Sequence, residues 1–121
     1  MEFKFENNTA IYVQLMEQIR LKILSGELEP GERLLSVRDL ALAAKVNPNT
    51  MQKALSELEE LGWIKTERTN GKFVTTDQNF IAKQKKFYAL EISQKYLSDM
   101  ARIGYDTAQI FTYLDKIGEH K

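Results

Sequence analysis

A mainly α-helical fold with one small β-hairpin is predicted for this 121-residue chain by three features. Two capped helix starts lie a turn apart, an Asn-Gly signal sits between β-prone runs, and a long amphipathic stretch follows Thr76. Residues 10 to 25 place Tyr12, Leu15, Met16, Ile19 and Ile23 at helical spacing, with Gly26 where a C-terminal cap belongs. That is the first helix. Glu29-Pro30-Gly31 makes a turn, and Arg33 to Leu35 is placed to pair as a short strand with the later hairpin.

Ser36 and Asp39 have the spacing of a capping box, so a second helix is expected from Val37 to about Ala44. Its alanines Ala41, Ala43 and Ala44 allow close approach of a neighbouring helix. Asn47 is a good N-cap, and Pro48 at the first helical position has no N–H to leave unpaired. A third helix therefore runs to Leu61, with Met51, Ala54, Leu55, Leu58 and Leu61 inward and Gly62 ending it. The gap Lys45 to Asn47 has the length of the turn in a helix-turn-helix, whose second helix enters the DNA major groove. Trp63 to Arg68 and Lys72 to Thr75 read as strands around Thr69-Asn70-Gly71. Helix, helix, helix, hairpin is the order of a winged helix-turn-helix, assigned here to residues 1–77.

Residues 78–121 form the expected two-helix dimerisation tail. Asp77 caps a helix over about 78 to 102, and Asp106 to Gln109 is a capping box, with Tyr105 and Ile110 placed as a hydrophobic staple, for a helix over about 107 to 117. The fifth helix is expected to turn Ile110, Phe111, Leu114 and Ile117 toward the fourth. That leaves a wide apolar arc, comprising Phe80, Phe87, Tyr88, Leu90, Ile92, Tyr96, Leu97, Met100, Phe111 and Leu114, which two helices cannot cover alone. A second copy of the chain, packing the same arc against itself, completes it economically.

Composition excludes several classes. There are no cysteines, hence no disulfide framework or thiolate metal site, and no apolar run approaches the length of a membrane span. The N-terminus does not resemble a signal peptide, and a soluble cytoplasmic protein is expected. No nucleophile, metal cluster or phosphate-cradling glycine loop is visible, so neither catalysis nor a cofactor is expected. His120, the only histidine, lies next to the last residue and anchors no triad. Glu57, Glu59 and Glu60 read as a solvated face, and Trp63 as core. Seventeen basic side chains balance seventeen acidic ones, unusual for a nucleic-acid binder, since phosphate neutralisation dominates affinity. Locally the balance differs: Arg33, Arg38, Lys45 and Lys53 face a single acid, Asp39, between residues 33 and 53. With a Debye length of about 8 Å the local patch governs contact, and non-specific binding is expected to be weak.

The candidate DNA contacts are Arg33, Ser36, Arg38, Asn47, Asn49, Thr50, Gln52, Lys53, Arg68 and Lys72. Asn49 and Gln52 suit bidentate reading of adenine, whereas Asn47 and Thr50 suit phosphate contact or capping. Arg38 at the start of the second helix suits phosphate or guanine; the alternative is an ion pair with Asp39 or with a carboxylate of the fourth helix. Arg68 and Lys72 flank the wing and either touch the DNA backbone or are simply solvated.

The stretches Ile11-Tyr12-Val13-Gln14-Leu15, Gly26 to Gly31, Leu34 with Ser36, Arg38, Leu40 and Ala41, Val46 to Thr50, and Gly71 with Phe73-Val74 resemble the GntR family of bacterial transcription regulators. The short tail resembles the YtrA-like subgroup. The resemblance implies a homodimer on a palindromic double-stranded operator, and the reading adopted is a repressor of transcription that occupies it. Any small-molecule effector is expected in the tail or the dimer cleft, because about 44 tail residues cannot enclose a pocket of the usual several hundred cubic ångströms within one subunit. Leu35 stands where the family usually has Pro, Lys53 where it has Arg, and Thr69 and Lys72 where the wing reads Gly and Thr. A reading from a different class is a winged-helix module that docks on a protein and binds no DNA.

Overall fold

The computed structural model describes residues 1–119, so His120 lies outside the described residues. The elements are α1 (Ile11–Ser25), α2 (Val37–Ala44), α3 (Pro48–Glu60), β1 (Ile64–Glu67), β2 (Gly71–Val74), α4 (Gln78–Arg102) and α5 (Thr107–Gly118). They form two compact units, Met1–Ala82 and a second beginning at Lys83. No helix among the described residues is long and apolar enough to cross a membrane.

In the first unit, α1 buries Leu15, Met16, Ile19 and Ile23 along one face. These meet Met51, Ala54, Leu55 and Leu58 of α3, and Leu40, Ala41 and Ala44 of α2 close the core. Fully burying each large side chain contributes about 1.5–3 kcal/mol. Ala43 faces solvent, so only two of the three alanines of α2 permit its close approach. Tyr12 is half-buried, and the Lys53 ammonium lies 3.9 Å from its ring centroid.

Ahead of α1 the chain is held by two glutamines. Gln18 accepts from the Lys4 N–H at 3.0 Å and Gln14 from the Glu6 N–H at 2.7 Å, and each amide donates back to the carbonyl of the same residue. Four residues of helix rise about 6 Å, close to the pitch of two residues of strand, so a Gln pair at i, i+4 matches alternate residues of an extended arm.

The Ser36 hydroxyl accepts from the Asp39 N–H at 3.0 Å, so α2 starts as expected. The return half of the box does not form, since Asp is one methylene shorter than the Glu or Gln that completes it. Lys45 then takes a left-handed conformation, φ 58°, the sole non-glycine with positive φ among the described residues, and its N–H returns to α2. The Asn47 side chain accepts from the Asn49 N–H at 2.7 Å, with Pro48 in the first turn. Leu61 departs from expectation: it is the C-cap of α3 and 53% exposed. Trp63, whose N–H donates to the Leu58 carbonyl, fills the core beyond the helix end instead.

The hairpin pairs Ile64 with Val74 and Glu67 with Gly71. Its loop is therefore Arg68 to Asn70, one residue earlier than the expected Thr69 to Gly71. The Asn70 N–H donates to the Glu67 carbonyl, and Gly71 follows at φ 99°, the left-handed residue that ends a three-residue loop. In place of the expected strand over Arg33 to Leu35, Arg33 alone bridges to Phe73, with the Leu34 N–H donating to the Lys72 carbonyl at 2.8 Å and the Val74 N–H to the Glu32 carbonyl at 2.9 Å. The first turn of α4, capped by Asp77, belongs to this unit because the Phe80 ring packs edge-on against Trp63, centroids 5.3 Å apart.

In the second unit both halves of the Asp106–Gln109 capping box form, at 2.8 and 2.9 Å. Ile110 is buried, while Tyr105 meets Tyr113 edge-on. Phe111, Leu114 and Ile117 remain 42–60% exposed, so α5 does not turn them all inward as expected. α4 buries no residue.

Candidate nucleic-acid interface

Capping places the N-terminal turns of α2 and α3 on the surface with their first residues aimed outward. Asn49, Gln52 and Lys53 are exposed on α3, and Thr50 is half-buried. Gln52 and Ser56 are one turn apart, joined by a 2.9 Å hydrogen bond, so the outward stripe of α3 is preorganised. The Asn47 side chain is committed to capping, as is Ser36. Lys53 lies over Tyr12, which holds its ammonium by cation–π attraction without burying it.

Arg38 is exposed on α2, and among the described residues no carboxylate, Asp39 included, is ion-paired with it. An unpaired guanidinium on a capped helix start suits a phosphate or a guanine edge. Between the start of α2 and the hairpin lies an open cleft of about 650 Å³, bordered by Arg33, Ser36, Arg68 and Lys72 and by the acids Asp39 and Glu67. Arg33 lies over Gly71: a β-carbon there would meet its guanidinium at 3.6 Å.

Lys72 is not simply solvated. Its ammonium donates to the Thr66 hydroxyl at 2.9 Å and reaches the Glu59 carboxylate at 3.4 Å, leaving the side chain 16% exposed. Glu59 is correspondingly engaged by the hairpin, although its side chain stays 38% exposed. Its carboxyl is held below the usual Glu range by the Thr66 hydroxyl and by the Lys72 charge, against the opposing effect of burial. Nothing in the local sequence marks this cluster, because it exists only once the hairpin folds beside the end of α3. Glu57 is half-buried and Glu60 exposed.

The expected dimerisation residues divide. Phe80 packs on Trp63 of its own unit. Phe87, Leu90, Ile92, Leu97, Phe111 and Leu114 are 43–65% exposed, and Tyr88, Tyr96 and Met100 are half-buried. No group of His, Cys, Asp and Glu able to hold a metal occurs among the described residues.

The sequence profile of the bacterial regulatory proteins of the gntR family matches residues 11–74. An uncharacterised helix-turn-helix-type transcriptional regulator of Bacillus subtilis, YhcF, is 35% identical over 104 residues, 86% of each chain. The helix-turn-helix-type transcriptional repressor YtrA of the same organism is 42% identical over 69 residues, 57% of this chain and 53% of its own length. Among solved structures, a GntR family transcriptional regulator from Listeria monocytogenes superposes with a TM-score of 0.85 at 36% identity, covering 93% of this chain and 98% of the other. The agreement extends from the first helix through the tail, and the chain belongs to the YtrA-like branch of the GntR family, helix-turn-helix regulators of transcription and not enzymes.

Proposed function

We propose that this protein is a cytoplasmic repressor that occupies a palindromic operator as a homodimer, with α3 in the major groove. The observation that carries the reading is the outward stripe of Asn49 and Gln52 on a capped helix, flanked by the unpaired Arg38. Asn49 and Gln52 read base edges; Arg38, Arg33 and Arg68 hold phosphates and fix the register, since backbone contacts position and base contacts specify. The repressor name of the YtrA relative supports the sign of regulation. The dimer reading is supported by the many large apolar side chains that α4 and α5 leave exposed, since such surface marks an interaction site and a two-fold axis makes one surface complementary to itself.

Selection of bound duplexes from a random pool tests this reading. The expected outcome is an inverted repeat whose half-sites are about one helical turn apart, the spacing at which two recognition helices reach successive major grooves on one face. A single asymmetric half-site, or no enrichment, contradicts it.

A further inference from the structure

Thr66 and Lys72 are directly opposed across the hairpin, so their side chains share one face of the wing. That face meets the end of α3, where Glu59 continues the stripe of Gln52 and Ser56 at helical spacing. The Lys72 ammonium donates to the Thr66 hydroxyl, which in turn donates a 2.7 Å hydrogen bond to the same Glu59 oxygen that the ammonium approaches. The hairpin does not depend on this cluster for its place. Backbone bonds from Leu34 to Lys72, from Val74 to Glu32 and from Thr75 to Trp63 anchor it along its length. The ion pair decides instead whether the charge of Lys72 is available.

We propose that Glu59 masks the wing cation Lys72, withholding one phosphate contact per subunit and so setting DNA affinity below what the wing can deliver. This rests on the DNA-binding reading above. The pair is partly exposed, with Glu59 38% open to solvent, so its hold on Lys72 is of the order that a single substitution removes. The position opposite Thr66 thus determines wing affinity through its partner on α3, not through its own charge alone.

The test compares the full chain with Glu59→Gln, Lys72→Gln and the double variant, each titrated against a selected operator and a random duplex over a range of salt. Gln keeps the size of Glu and an acceptor for Thr66 while removing the charge. Glu59→Gln is expected to tighten binding to both duplexes several-fold and to steepen the slope of log affinity on log salt by about 0.9 per subunit. Lys72→Gln alone is expected to leave the slope unchanged, and in the double variant the gain disappears. In the unmodified chain the Lys72 ammonium resonance is expected to stay put on adding DNA, a readout that requires no variant to fold. A slope flattened by Lys72→Gln alone, a weakened or unchanged Glu59→Gln variant, or a shifted resonance overturns the inference while leaving the DNA reading intact. An unmodified chain that binds no duplex at any salt overturns both.

Discussion

A chain ended at Ala82 is expected to remain folded, to sediment as a monomer and to bind operator roughly 10²-fold or more weakly than the full chain. The first unit has its own core, with Leu15, Ile19, Met51, Leu55 and Leu58 buried and Phe80 packed against Trp63. What is lost is the apolar surface of Phe87, Leu90, Leu97, Phe111 and Leu114. Without it the two half-site contacts are no longer linked, and the effective-concentration advantage of about 10² to 10⁴ vanishes. Sedimentation and operator titration of both chains measure this. A shortened chain that stays dimeric and binds as tightly would place the interface in the winged helix.

Arg38→Ala is expected to weaken operator and random duplex alike, by about tenfold or more per subunit, because a hydrogen bond to a charged group contributes about 1.5–3 kcal/mol. The salt slope should fall by about 0.9 per subunit at the same time. Gln52→Ala should behave differently, costing affinity on the preferred operator while relaxing the choice of base, where a good bidentate pair discriminates by about 1–3 kcal/mol. Titrating both variants against the operator and single-base variants of it separates the two roles. Normal binding of every duplex by Arg38→Ala would remove α2 from the docking geometry.

The helix starts were legible in the sequence because caps are local. Ser36, Asn47 and Asp106 each bond to an amide two or three residues ahead, and these bonds form as the spacing predicts. The pairing expected of Arg33 to Leu35 with the hairpin is present as a single bridge at Arg33. Other features depend on what packs beside them. Leu61 fits the apolar period of α3 yet lies outside, because the helix ends there and Trp63 takes the interior. Asn70-Gly71 signals a turn but not its register, which the pairing of Glu67 with Gly71 sets. Lys72 looked like a free wing cation, and Glu59 like a solvated acid, because nothing local brings residues 59, 66 and 72 together. The arm before α1 was illegible too, since its hydrogen bonds run to glutamines eight and fourteen residues away.

The central claim, that this nearly neutral protein grips phosphate with a small local set of cations, is tested most directly by the salt dependence of the unmodified full chain on duplex DNA. Log affinity is expected to fall linearly with log salt, at about −0.9 for each phosphate neutralised by side chains such as Arg33, Arg38 and Arg68 in each subunit. An affinity for duplex DNA that does not change with salt, or tight binding to a protein partner with none to DNA, would contradict it.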